Sequence, residues 1–193
     1  MMTIPNTLTL SRIALIPVFI GLFYLQPDYY DETLPWINNL LVAIFIIISL
    51  TDFFDGLLAR KLKQISELGA FLDPVADKLM VCVTLIMLTD YHHTWLITIP
   101  TIIIIFREIL VSALREWMAE IGKRSNIAVS NIGKSKTFMQ MLAILFLLYQ
   151  QPLLMLSKED VHLIGVTLLF AATVLTLWSG FIYLLAGLKT FDS

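Results

Sequence analysis

The sequence predicts an all-α integral membrane protein with six transmembrane helices and a short N-terminal interfacial segment. Hydrophobic residues make up 58% of the 193 residues and charged residues only 15%, where a soluble domain has about a quarter charged. The apolar residues fall into six runs, and each is long enough to cross a hydrocarbon core, which takes about 20 helical residues. We therefore expect a single membrane domain over residues 1–193.

The six predicted spans are separated by polar loops. In chain order they are residues 8–25, 35–60, 68–88, 94–121, 129–149 and 161–188. Before the first, Asn6 or Thr7 could cap an interfacial turn. Pro17 interrupts the first span, which a membrane helix tolerates when neighbouring groups satisfy the freed carbonyl. The fourth span is longer than a bilayer needs, so its end should project into water.

Two helix faces within these spans carry carboxylates where apolar residues are normal. The face at the end of the second span has spacing i, i+3, i+4, i+7 and holds Asp52, Asp55, Gly56 and Ala59. The face at the start of the third has spacing i, i+4, i+8 and holds Gly69, Asp73 and Asp77. A carboxylate that reaches the bilayer interior costs several kcal/mol, so such aspartates are functional candidates.

The loop between these spans is short, so the two faces should meet in an antiparallel hairpin. Asp52 and Asp77 each lie about 12 Å of helix from that loop, which brings them side by side. Asp55 then lies beside Asp73. Ligands that are all oxygen favour a hard cation, Mg²⁺ or Mn²⁺, and four carboxylates could hold one or two such ions. The glycines could be close helix-packing positions or could leave room for a ligand beside the metal ions.

The lysines and arginines predict the orientation of the spans. With six spans, both termini lie on the same side as the loops at residues 60–68 and 122–136. If that side is the cytoplasm, 12 of the 13 Lys and Arg fall in the cytoplasmic half and only Lys158 lies outside. This distribution follows the positive-inside rule. Both carboxylate faces then open to the cytoplasm.

The carboxylate pattern reads D-x2-D-G-x2-A-R-x8-G-x3-D-x3-D, with Arg60 as its arginine. It closely resembles the signature of the CDP-alcohol phosphotransferases, without departure at any of its eight positions. The likeness extends to IPNTLTLSRIALIP, GAFLDPVADKLM, REILVSALREWMAEIGKRS and NIGKSK. It covers most of the chain, and the C-terminal 40 or so residues contribute least.

This resemblance implies an enzyme of phospholipid biosynthesis in the bacterial inner membrane, with its active site facing the cytoplasm. The reaction implied transfers the phosphatidyl group from CDP-diacylglycerol to sn-glycerol 3-phosphate and releases CMP. Family members are typically homodimers in the lipid bilayer, and no nucleic-acid partner is expected.

The resemblance also assigns roles to the residues of the pattern. Asp52, Asp55 and Asp73 hold metal, while Asp77 takes the proton from the acceptor hydroxyl and also contacts a second ion. The nucleotide-binding residues implied are Asp52, Asp55, Gly56, Ala59, Arg60 and Gly69. Arg60 could instead be only an anchor at the cytoplasmic surface.

A second group of charges lies on the fourth span and the loop after it. Glu108, Ser112 and Arg115 share one face at i, i+4 and i+7, with Arg107 on its flank. Guanidinium groups suit phosphate geometry, so we expect the arginines to bind the acceptor phosphate, while Glu108 could form an ion pair between helices. The further acceptor-binding candidates are Lys123, Arg124 and Lys134.

Other functions stay open at this point. Within the family, the acceptor could be inositol phosphate, serine or phosphatidylglycerol. A membrane prenyltransferase also binds a diphosphate through aspartates and Mg²⁺, but it would need more spans and another spacing. A divalent-cation transporter could use the same carboxylates, although transporters commonly show paired discontinuous segments, and the sequence has no such symmetry.

Overall fold

Most of the described part of the chain is helical, and the connections at residues 93–94 and 150–157 are not. The structure is a computed structural model that describes residues 4–25, 34–62, 67–121 and 131–191; within these ranges it leaves undescribed the side chains of residues 4–8, 52–62, 67–74, 77, 131–134, 186 and 188–191. The described residues form six helices: α1 Ile4–Tyr24, α2 Pro35–Leu62, α3 Glu67–His92, α4 Trp95–Glu120, α5 Asn131–Tyr149 and α6 Lys158–Phe191. This confirms six helices in the predicted order.

The ends of the later helices have identifiable caps. Thr94 caps α4, and its side chain accepts a hydrogen bond from the Leu96 amide. At the start of α6 the Asp160 amide donates to Ser157 Oγ at 3.1 Å, while the Ser157 amide donates to Asp160 Oδ2 at 3.0 Å. This reciprocal capping pair explains why α6 begins at Lys158, three residues before the predicted start of the span.

The expectation that Asn6 or Thr7 caps an interfacial turn before the first span is wrong. Because α1 begins at Ile4, both residues lie inside the helix. Pro5 is compatible with this earlier start, since amides of a first helical turn have no intrahelical carbonyl to bond and proline lacks the amide hydrogen.

The chain divides into two compact units, and the first consists of residues 1–91 with residues 148–151. In it, α1 packs against α2. One face of α2 is buried, with spacing i, i+4, i+8 and i+11, and consists of Ile37, Leu41, Phe45 and Ile48. Tyr24 Oη donates to Asp90 Oδ2 at 2.9 Å. This bond joins the C-terminal ends of α1 and α3.

The second unit contains α4, most of α5, and α6. A Cβ added at Gly180 would lie 3.1 Å from Arg107 Cγ, and one added at Gly187 would lie 2.9 Å from Leu114 Cδ1. Glycine thus allows α6 to approach α4 closely. The contacts advance together along the two helices, so α4 and α6 are parallel. Consecutive spans that cross a bilayer in alternate directions require this arrangement.

One exposed face of α4 is apolar enough to contact lipid. One stripe of α4 exposes large apolar side chains, which are Ile99, Ile102, Phe106 and Ile109. Among the described residues, two stretches are long and apolar enough to cross a membrane, Trp95–Glu120 and Lys158–Leu185. Three shorter apolar helical stretches lie in α1, α2 and α5.

The expectation of a single domain over residues 1–193 stays a prediction.

Candidate active site

The residues of the carboxylate pattern lie on the helices that the sequence predicts. Asp52, Asp55, Gly56, Ala59 and Arg60 fall in α2, and Gly69, Asp73 and Asp77 fall in α3. The backbone is helical through all of them, so the spacing that places each set on one face holds. Their side chains lie outside the described part, and their convergence on a cation stays a prediction.

The described residues contain no group of three or more His, Cys, Asp or Glu that could hold a metal ion. Two of the acceptor-binding candidates, Lys123 and Arg124, lie outside the described residues. Lys134 lies in the first turn of α5, and its side chain is not described either.

Arg107 of α4 is held by side chains of two helices. Its Nη1 donates to Glu108 Oε1 at 3.3 Å and its Nη2 donates to Ser179 Oγ of α6 at 3.0 Å. The side chain is only 12% exposed. Ser179, itself buried, donates its own proton to the Thr176 carbonyl at 3.1 Å. This donated bond orients the Ser179 hydroxyl so that its oxygen accepts the hydrogen bond from Arg107.

Glu108 forms an ion pair with Lys136 of α5. Both side chains are largely shielded from solvent. Because an isolated buried carboxylate is strongly unfavourable, a lysine and an arginine at the same oxygen make its ionised form tolerable. The ion pair between helices that the sequence offered as an alternative for Glu108 is confirmed.

Arg115 contacts a different partner, Tyr183 of α6. Its Nη2 donates to Tyr183 Oη at 3.1 Å, and its guanidinium carbon lies 5.3 Å from the centre of the ring. The guanidinium carbon of Arg107 lies 5.7 Å from the same ring centre. The two arginines of α4 thus meet at one aromatic side chain.

Glu108, Ser112 and Arg115, which the sequence places on one helix face, each contact a different partner. Ser112 Oγ donates to the Glu108 carbonyl of its own helix, a common fate for hydroxyls inside helices. Arg115 shares its partner with Arg107 and not with Glu108.

Sequence reasoning missed both contributors from α6, Ser179 and Tyr183. Their i, i+4 spacing inside an otherwise apolar span was the available signal.

We call Arg107, Glu108, Arg115, Lys136 and Tyr183 the cationic cluster. It contains three cations and one carboxylate, so it carries an excess of two positive charges. Guanidinium groups bind phosphate through paired hydrogen bonds, and the attraction grows where the surroundings exclude water. The cluster therefore has the charge to hold an anion with about two negative charges.

Comparison with known proteins identifies the family. The profile of the CDP-alcohol phosphatidyltransferase family matches residues 2–178. The chain belongs to the CDP-alcohol phosphatidyltransferase family.

Relatives within this family align over nearly their whole length. A protein of Pectobacterium atrosepticum is 51% identical over 184 residues, which is 95% of this chain and 94% of the relative. A protein of Sodalis glossinidius is 48% identical over 186 residues, 96% and 95% of the two chains. One from Salmonella typhi is 47% identical over 184 residues. All three are named CDP-diacylglycerol–glycerol-3-phosphate 3-phosphatidyltransferase.

Membership in the CDP-alcohol phosphatidyltransferase family confirms the resemblance that rested on the aspartate pattern. The chain is accordingly a transferase. Together with its apolar helices, membership identifies it as a bacterial membrane protein. Members of this family generally depend on a divalent metal.

Proposed function

We propose that this protein transfers the phosphatidyl group of CDP-diacylglycerol to sn-glycerol 3-phosphate, giving phosphatidylglycerophosphate and CMP. The observation that carries the proposal is the full-length similarity, at about half identity, to relatives that bear the name of this activity. The acceptor hydroxyl attacks the phosphorus that bears the diacylglycerol. A P–O bond forms there, and the bond from that phosphorus to CMP breaks.

The cationic cluster supports the choice of acceptor. Glycerol 3-phosphate carries about two negative charges and must approach a diphosphate that is itself anionic, so cations have to lie between them. Arg107 and Arg115 are our candidates for the acceptor phosphate, and the excess of two positive charges in the cluster, counted with Lys136 and Glu108, suits a dianion. Lys123, Arg124 and Lys134 are proposed to extend this site from the loop that follows α4 and the first turn of α5.

The residues that bind the donor are proposed to lie on α2 and α3. A hard divalent cation fits the donor set, because Asp52, Asp55, Asp73 and Asp77 offer only oxygen ligands on helical backbone. Bound there, one or two ions of Mg²⁺ or Mn²⁺ would supply Lewis acidity and charge neutralisation at the diphosphate.

The remaining residues of the pattern are proposed to bind and orient the substrates. Gly56, Ala59 and Gly69 leave room for the nucleotide, and Arg60 contacts the diphosphate. Asp77 accepts the proton of the acceptor hydroxyl. A carboxylate is a weak base, so positioning of the two substrates must account for most of the rate.

The proposed setting is the inner membrane, with both termini and the active site facing the cytoplasm. The twelve-to-one distribution of basic residues supports this orientation. We also propose a homodimer, on the basis of the family resemblance.

The decisive experiment offers the purified protein CDP-diacylglycerol in lipid vesicles with one acceptor at a time. We expect CMP release and phosphatidylglycerophosphate formation with glycerol 3-phosphate, and little product with inositol phosphate, serine or phosphatidylglycerol. A chelator should abolish turnover, and added Mg²⁺ or Mn²⁺ should restore it. Efficient product formation with another acceptor would overturn the acceptor assignment, and failure to release CMP with any acceptor would overturn the proposal entirely.

A further inference from the structure

We propose that Tyr183 is a positioning residue for the acceptor, which holds Arg107 and Arg115 in the arrangement that receives the phosphate. The inference rests on the proposed function, because it takes these arginines as the acceptor site. It is carried by three contacts to one side chain. The ring centre lies 5.7 Å from the guanidinium carbon of Arg107 and 5.3 Å from that of Arg115. The phenol oxygen accepts a hydrogen bond from Arg115 at 3.1 Å.

The two arginines need such a partner because of where α4 places them. They are eight residues apart in the sequence, about two helical turns. Each side chain loses rotamer entropy when it is fixed, and the two like charges repel. Without a shared partner they would spread apart, and binding one phosphate would require ordering both.

The aromatic ring of Tyr183 can offset both the repulsion between the arginines and their loss of rotamer entropy on binding. The face of an aromatic ring carries partial negative charge and attracts guanidinium groups. Because the ring has no net charge, it does not neutralise the positive charge that binds a phosphate. A carboxylate at the same place would cancel that charge, as Glu108 does for Lys136. Ordering the arginines on the ring during folding removes this entropy loss from substrate binding.

The two parts of the side chain have separable roles. The ring contacts both arginines, whereas the hydroxyl contacts Arg115. Arg107 has a second anchor in Ser179. Arg115 is exposed, so we expect its position to depend more strongly on Tyr183.

The test compares Tyr183→Phe, which keeps the ring, with Tyr183→Leu, which removes it. The control is Phe181→Leu, which removes an exposed aromatic side chain from the same helix. We expect Tyr183→Leu to raise the KM for glycerol 3-phosphate about tenfold, while kcat and the KM for CDP-diacylglycerol stay within about twofold. Tyr183→Phe should raise the KM for glycerol 3-phosphate only about two- to threefold. The control should leave all three constants unchanged.

The inference is overturned if Tyr183→Leu leaves the KM for glycerol 3-phosphate within twofold of the wild-type value. It is also overturned if Tyr183→Leu and Tyr183→Phe both change kcat and the KM values for the two substrates to the same extent. That result would indicate a role of Tyr183 in folding alone. Arg107→Ala and Arg115→Ala separate this failure from that of the proposed function. If those variants raise the KM and Tyr183→Leu does not, the acceptor site stands and only the role of Tyr183 is lost.

Discussion

Arg107 and Arg115 are the described residues whose loss should change acceptor binding most directly. We expect Arg107→Ala or Arg115→Ala to raise the KM for glycerol 3-phosphate tenfold to a hundredfold, because the loss of one charge-assisted hydrogen bond costs about 1.5–3 kcal/mol. The KM for CDP-diacylglycerol should change little. Steady-state kinetics in lipid vesicles, with each substrate varied in turn, measures both constants.

Lys158→Ala provides the matched control for this prediction. It removes one positive charge from an exposed position at the N-terminal end of α6, and it should leave both constants unchanged. Normal binding of glycerol 3-phosphate by both arginine variants would contradict the prediction. The same holds if plain glycerol proves as good an acceptor as its phosphate.

Asp77 is the residue whose proposed role is most specific to the chemical step. Asp77→Asn keeps the shape of the side chain but cannot take a proton, so turnover should be abolished while CDP-diacylglycerol binding is largely retained. CMP release and direct binding of the CDP-lipid measure the two effects. Asp90→Asn makes the same change near the other end of α3 and should remain active. Near-normal turnover of Asp77→Asn would exclude it as the base.

At the scale of elements, glycine determines how closely the helices of the second unit approach. A Cβ added at Gly165 of α6 would lie 2.9 Å from Leu147 Cγ and 3.2 Å from Phe146 Cβ. Gly165→Val should therefore push α5 and α6 apart and destabilise the protein by about 1–3 kcal/mol. Thermal unfolding in detergent measures the effect.

Gly21 offers the control for this substitution. A Cβ there has no neighbouring atom within 4 Å outside its own helix, so Gly21→Val makes the same chemical change on an open helix surface. Its unfolding temperature should stay close to that of the wild type. Equal destabilisation by both variants would show that the helix propensity of valine, and not the contact between α5 and α6, is responsible.

At the scale of the whole molecule, we predict that the termini and residues 60–68 and 122–136 face the cytoplasm. In the second unit the helix directions agree with spans that alternate, since α4 parallels α6. In a Cys82→Ser background, Lys63→Cys should resist a membrane-impermeant thiol reagent added outside intact cells, whereas Lys158→Cys should react. Labelling of Lys63→Cys from outside would refute the orientation.

The sequence alone determined the six helices, their order and the family. Apolar runs of sufficient length must be helical in lipid, because no water is present to satisfy the backbone. The aspartate pattern depends on spacing along single helices, which sequence periodicity predicts directly. The cap formed by Ser157 and Asp160 is also local, and its S-x-x-D spacing was a signal that could have located the start of α6.

Only the tertiary structure decided which partner each charge takes. Glu108 meets Lys136 across 28 residues, Arg115 meets Tyr183 across 68, and Arg107 meets Ser179 across 72. These contacts depend on the rotation and register of α5 and α6 against α4. An apolar side chain is accepted equally by lipid and by a neighbouring helix, so apolar periodicity does not specify that rotation. Close packing at Gly180 and Gly187 specifies it, and with it the place of Tyr183 between the two arginines.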